Sequence, residues 1–301
     1  MKRKEIICLI LCAVMISASA CSLIRTPPKT PVVEVIPPKP AKIALVLGAG
    51  AAKGFAHIGV LKVLEANKVP IDFIIGTSAG SVVGAFYAYG YKAYDLQALS
   101  MKIEKSDVVD LTIPKNGFIK GEKLENFINK SLGNTPIEKF KIKFYTVSTD
   151  LASGKEVVFA SGNAGKAVRA SSSIPGIFQP VSISGRTYVD GGVVSPVAVD
   201  AARRMGADVV IAVDISGGVG EAVPEGIMDT ILQAIDIMYA KISMYQLNNA
   251  DVVIRPRVGH IGSAELEKRN EAILEGEKAA MAAIPQIQSI TDKLRSQGRI
   301  Q

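Results

Sequence analysis

From residue 42 onward, short apolar runs alternate with segments whose apolar residues recur every third or fourth position. Residues 42–47 (Lys-Ile-Ala-Leu-Val-Leu) have the length and composition of a buried strand. They lead into a glycine-rich stretch, Gly48-Ala-Gly-Ala-Ala-Lys-Gly54, and then into residues 55–65, whose spacing predicts a helix. A second unit follows directly. Residues 71–75 read as strand, Gly76-Thr-Ser-Ala-Gly80 as turn, and residues 81–88 as helix. Two successive strand–turn–helix units predict an α/β fold with a parallel-rich central sheet flanked by helices, and a ligand site at the carboxyl ends of the strands. Further along, residues 142–148, 156–160, 186–189 and 208–213 read as strands. Residues 198–205, 225–248 and 264–284 read as helices, the last two closing the sheet. Met228, Met238 and Met244 have helical spacing, which predicts that they belong to the core. One domain is expected over residues 43–301.

The first 42 residues follow a different pattern. Lys2, Arg3 and Lys4 precede an apolar run at 6–16, and Ala18-Ser-Ala20 ends it with small residues, the plan of an export signal over residues 1–20. Eleven apolar residues fall short of the roughly 20 that a membrane-spanning helix needs. Cys21 comes next, and the junction resembles the cleavage site of bacterial lipoproteins, with Ala18 where leucine is preferred. Cys8 and Cys12 lie inside the leader, so Cys21 is the only cysteine left after cleavage, and lipidation gives it a role. Ordinary secretion and an uncleaved anchor are the competing readings. Residues 26–40 contain six prolines, a semi-rigid spacer of about 3.1 Å per residue. The expectation is a lipoprotein tethered at residues 21–42 to a bacterial envelope membrane, the outer rather than the inner.

Charge adds an exclusion. The net charge is +7, but residues 1–42 hold seven basic and two acidic side chains, so +5 of it lies there. No basic face for a nucleic acid remains in the rest of the chain. Two histidines in 301 residues leave little material for a multi-histidine metal site.

The chemistry sits in the two turns. Gly76-Thr-Ser-Ala-Gly80 has the G-x-S-x-G spacing of a nucleophile elbow, whose glycines permit a sharp strand-to-helix turn that exposes the Ser78 hydroxyl at a helix N-terminus. The bland alternative is a glycine turn with a capping serine. The first turn lacks an acid at the far end of the second strand, since Asp72 lies near its start, so a dinucleotide site is disfavoured; nor does Lys53 fit a phosphate-binding loop. An oxyanion hole fits, with N–H groups around Gly50 and Ala51 beside Ser78. Asp190, in Val189-Asp-Gly-Gly192, is a candidate base, although Asp-Gly is also an ordinary hairpin signal. Ser78, Asp190 and His260 occur in the chain order of an α/β-hydrolase triad, but only two strands precede the elbow. His57 lies on the first turn of the first helix. Asp214 reads as a strand-end cap.

Taken together, residues 45–61, the elbow at 76–80, Thr149-Asp150, residues 169–178 (Arg-Ala-Ser-Ser-Ser-Ile-Pro-Gly-Ile-Phe) and Asp190-Gly-Gly192 resemble the bacterial patatin-like phospholipases related to the neuropathy target esterase branch. The resemblance covers roughly residues 42–215. It implies a Ser78–Asp190 dyad with no metal, no cofactor and no histidine. It also implies an oxyanion segment over Gly48, Ala49, Gly50, Ala51, Lys53 and Gly54, and structural glycines at Gly76, Gly80, Gly191 and Gly192. Ala49 and Ala51 stand where that family usually has glycine, and Lys53 where arginine is commoner; a positive φ at either alanine would be strained. The implied activity is acyl-ester hydrolysis on a phospholipid or lysophospholipid. An acyltransferase or thioesterase with the same elbow, and a silent envelope scaffold, are the alternatives.

Overall fold

Each of the strands Ile43–Leu47, Phe73–Thr77 and Val209–Val213 is buried at every position, which is why they read as unbroken apolar runs: a parallel strand has protein on both faces. The computed structural model describes residues 37–113, 116–217, 224 and 226–301. The leader at 1–20, Cys21 and most of the proline-rich spacer lie outside the described residues. In chain order the elements are β1 (Ile43–Leu47), α1 (Phe55–Ala66), β2 (Phe73–Thr77), α2 (Ala79–Tyr89), α3 (Ala93–Lys102), α4 (Lys105–Val108), α5 (Glu122–Ser131), β3 (Lys143–Asp150), β4 (Glu156–Phe159), α6 (Ala164–Ser171), β5 (Val181–Ile183), β6 (Arg186–Asp190), α7 (Val199–Arg204), β7 (Val209–Val213), α8 (Ile227–Gln246), β8 (Val252–Ile254) and α9 (Arg269–Ser296).

The strands form one sheet in the order β5-β6-β3-β2-β1-β7-β8, with β4 paired to β3 off that path. From β3 to β8 the pairs are parallel, whereas β6 and β4 run antiparallel to β3, and β5 to β6. Alternate side chains of a strand point to opposite faces. Ile43, Leu45 and Leu47 accordingly join the core with Leu61 and Leu64 of α1 and Ile273 and Ile284 of α9. Ala44 and Val46 join the other core with Val199, Ala201 and Ala202 of α7. The sheet register matters for the site. β4 pairs with both Val147 and Ser148 of β3, and along the opposite edge Val147 pairs with Thr77 of β2 and Ser148 with Asp190 of β6. The ends of β2 and β6 therefore meet at one level along the same edge of β3.

The chain enters β1 at the opposite end of the sheet from that level. Ala41 N–H donates to Arg299 O at 2.8 Å there, and Arg299 Nε to Lys39 O at 3.1 Å.

Three expectations change. The last helix spans Arg269–Ser296 rather than 264–284, because Pro285 lies inside it without ending it. Its buried stripe continues through Ile284, Ile287, Thr291 and Leu294, and the packing of that stripe outweighs the hydrogen bond lost at proline. Helix α8 does not close the sheet; its inner face packs Ile231, Leu232, Ile235 and Tyr239 against Ala49, Ile174 and Ile177. Met238 and Met244 are not core residues, since they lie on the outer face of α8 at 52% and 64% exposure; Met228 alone is partly buried. Helical spacing placed these methionines on a helix, but two of them fall on the face turned away from the protein.

Candidate active site

The turn after β2 is tight. Ser78 has φ 52° and ψ −121°, a left-handed backbone that costs a non-glycine residue about 1–3 kcal/mol. The surroundings hold it there. Ser78 N–H donates to Ser171 Oγ at 2.9 Å, and Ser171 Oγ in turn donates to Val147 O. The Ser78 carbonyl accepts from Ser81 N–H at 2.8 Å and Ser81 Oγ at 2.6 Å. Ser78 is thus the N-cap residue of α2, which begins at Ala79, two residues earlier than its apolar spacing predicts. Gly76 ends β2 and Gly80 lies in the first turn of α2. A Cβ at Gly80 would fall 2.1 Å from Leu47 O, so only glycine lets the helix approach β1 this closely.

Asp190 ends β6, and the 3₁₀ turn Gly191–Val193 follows it. Ser78 Oγ donates to Asp190 Oδ2 at 2.6 Å, and Gly192 N–H donates to Asp190 Oδ1 at 2.7 Å. The backbone of Asp190 is fixed as well: its N–H donates to Ser173 O and its carbonyl accepts from Thr149 Oγ1, both at 2.9 Å. Asp190 is fully buried and Ser78 nearly so. Burial pushes the Asp190 carboxyl up to about 6, against the opposing effect of Ser78, Gly192 and Tyr239, which favour the charged form. The carboxylate therefore holds protons more strongly than an exposed aspartate while remaining ionised at neutral pH.

The loop after β1 divides its amides. Gly48 N–H donates to Val213 O at 3.0 Å, Ala49 N–H to Pro196 O at 2.8 Å, and Lys53 N–H to Gly50 O at 3.0 Å. Among the described residues, the N–H groups of Gly50 and Ala51 donate to no acceptor. Ala51 has φ 48°, so the strain that alanine at this position risks is present. Gly54 packs its Cα side against Ala79, which brings the loop to the first turn of α2. His57 is buried and its Nε2–H donates to Gly48 O at 2.8 Å; burial lowers its pKa to about 4, so it is a neutral brace for the loop. His260 lies elsewhere. Its Nε2 meets Glu271 Oε1 of α9 at 2.6 Å, and Ser78–Asp190 stand together without it. Asp214 Oδ1 accepts from Ser216 N–H and Oγ, a turn cap at the end of β7.

A family model, the patatin-like phospholipase, matches residues 45–203, the stretch that runs from β1 through the elbow and Asp190 into α7. The chain belongs to the patatin-like phospholipase family. Lysophospholipase NTE1 of Pyricularia oryzae is 35% identical over 195 residues, which make up 63% of this chain and 13% of that protein. Lysophospholipase NTE1 of Yarrowia lipolytica is 35% identical over 198 residues, 63% of this chain and 14% of that one. This chain therefore matches only about an eighth to a seventh of the length of those curated relatives. Among solved structures, VipD from Legionella pneumophila aligns over 84% of this chain and 67% of that chain, with 15% identity and a TM-score of 0.48.

Some residues of this patatin-like site carry no local sequence signal. Lys53, expected in the oxyanion segment, directs its ammonium to Asp236 Oδ2 of α8 at 2.8 Å, and Ser263 Oγ donates to the same oxygen at 3.0 Å. Its side chain thus clamps the loop to α8. Tyr239, three residues on, lies over Gly192, where an added Cβ would fall 2.2 Å from its Cζ. Asp236 and Tyr239 both lie outside the matched residues 45–203. Ser171 is the exception: it belongs to the serine-rich stretch at 169–178 that the family resemblance singles out.

Proposed function

We propose that this patatin-like chain is a serine acyl-ester hydrolase acting on lipid esters, with Ser78 as nucleophile and Asp190 as base. The observation that carries the reading is the 2.6 Å bond from Ser78 Oγ to Asp190 Oδ2 inside a buried site. In the first half-reaction Oγ attacks the ester carbonyl carbon and its proton passes to Oδ2. The carbonyl electrons move onto oxygen, where the free N–H groups of Gly50 and Ala51 and the N-terminus of α2 stabilise the negative charge. Collapse breaks the ester bond, and the departing alkoxide takes the proton back from Asp190. Water then attacks the acyl-serine, gives its proton to Asp190, and releases the fatty acid as Ser78 Oγ is reprotonated. A carboxyl raised to about 6 suits this cycle, because it is ionised at neutral pH yet a stronger base than an exposed aspartate.

The relatives' names supply the substrate class: both are called lysophospholipases, and we extend a lysophospholipid or phospholipid substrate to this chain. A lipid anchor at Cys21 of an envelope lipoprotein belongs to the same proposal, and it would present the domain to that substrate. The test is labelling of the purified protein with a fluorophosphonate probe. Wild type is expected to label, with Ser78→Ala and Asp190→Asn silent; labelling of a folded Asp190→Asn variant at the wild-type rate would remove the dyad.

A further inference from the structure

The inner face of α8 carries a buried tyrosine within an apolar contact to Ala49, Ile174 and Ile177. Tyr239 is 4% exposed and packs with Ile174, Ile177 and Ile235. Its hydroxyl has no hydrogen bond of good geometry among the described residues. Phenylalanine would fill the same space without burying an unpaired hydroxyl, a desolvation cost that a purely structural residue has no reason to bear. Two charged groups are close enough to act on this hydroxyl, Asp190 and Asp236. Asp236 already accepts from Lys53 Nζ and Ser263 Oγ. Asp190 accepts from Ser78 Oγ on Oδ2 and from Gly192 N–H on Oδ1, and the ring of Tyr239 rests on that same Gly192.

We propose that Tyr239 is a positioning residue for the reaction assigned above, its hydroxyl held beside the Asp190 carboxylate by the bare Gly192 backbone, so that the base stays oriented and ionised when Ser78 turns towards the substrate. The proposal rests on the Ser78–Asp190 reading. In the resting site Ser78 Oγ is the side-chain donor to Asp190, beside the backbone N–H of Gly192. Once Oγ attacks, the carboxyl group loses that partner, and a second hydroxyl a small rotation away replaces it without admitting water. Gly192 is needed as glycine for the same reason, since a methyl group there would displace the ring. The groups that face Asp190 are then Ser78 from the elbow, Gly192 from the turn and Tyr239 from α8, with the Lys53–Asp236 pair behind the tyrosine. His57 does not take part, because its ring is bonded to Gly48 O.

The test is the pH dependence of Tyr239→Phe, which keeps the ring and removes only the hydroxyl. Loss of a neighbouring hydroxyl that favours the charged carboxylate moves the acid limb of kcat/KM upward by roughly one pH unit. With a midpoint near 6 in the wild type, the variant is expected to be about eightfold slower at pH 5.5 and within a factor of two of wild type at pH 8. The rate of fluorophosphonate labelling against pH, measured on the same two proteins, should show the same displacement without depending on any lipid substrate. A uniform loss at every pH would mean that the hydroxyl serves only packing, and an unmoved acid limb would equally overturn the proposal. Failure of the underlying reading has a different mark: a folded Asp190→Asn variant would still label, whatever Tyr239→Phe does.

Discussion

Lys53 Nζ lies 2.8 Å from Asp236 Oδ2, and the lysine side chain is only 2% exposed, so a buried ion pair ties the loop after β1 to helix α8. The pair joins residues that are 183 positions apart. It lies behind the candidate site and touches neither Ser78 nor Asp190 by any direct bond.

Removing one partner leaves the other charge buried. Asp236→Ala is expected to destabilise the domain by about 3 kcal/mol or more, and Lys53→Met by a similar amount. The double substitution should cost much less than the sum, because no charge is then stranded. Urea unfolding of the three variants measures this coupling. Additive losses would show that the pair contributes no mutual stabilisation.

Two buried titratable groups act on stability in opposite senses. The Asp190 carboxyl lies at about 6 against an ordinary 3.8, so the folded protein holds this proton more tightly than the unfolded chain does. Its contribution is absent below about pH 4, turns unfavourable as pH rises to 6, and stays so above, by at most about 3 kcal/mol. His57 lies at about 4 against 6.5, and its contribution is fully present above pH 6.5 and lost as pH falls towards 4. In the wild type the two offset each other. Asp190→Asn removes one of them, so the variant should be more stable than wild type at pH 7 and equal to it at pH 4. A constant difference between the two proteins across that range would contradict the burial of an ionised Asp190.

Ala51 offers a test of strain. Its φ of 48° is unfavourable for any residue with a Cβ. Ala51→Gly should stabilise the folded domain by up to about 1 kcal/mol, the relief of strain being partly offset by the greater freedom of glycine in the unfolded chain. The fluorophosphonate labelling rate should be unchanged or higher, since glycine keeps the N–H. A lower melting temperature would show that the methyl group makes a packing contact worth more than the strain.

The anchor proposal predicts a change of compartment without a change of chemistry. Cys21 supplies no group to the reaction assigned above, so its replacement is expected to leave the chemistry intact. Cys21→Ser is expected to move the protein from the membrane fraction to the soluble one while hydrolysis of short soluble esters continues at the wild-type rate. Unchanged membrane association would refute the lipid anchor.

Much of this site was legible in the residues because its signals are local. A short, largely apolar strand, a glycine-bounded serine and a helically spaced segment specify the elbow, since backbone geometry there depends on near neighbours. The glycine loop at 48–54 is legible for the same reason. Which acid meets Ser78 is a different matter. Asp190 is 112 residues away, and Asp-Gly by itself reads as a turn. The pairing exists because β2 and β6 meet along one edge of β3, with Val147 beside Thr77 and the next residue, Ser148, beside Asp190, a register that no local period encodes. Tertiary packing also decided that Lys53 serves Asp236 and that Tyr239 covers Gly192. It likewise turned Met238 and Met244 outward on α8. A helical pattern states which residues share a face, but the neighbour that buries that face is chosen by the rest of the chain.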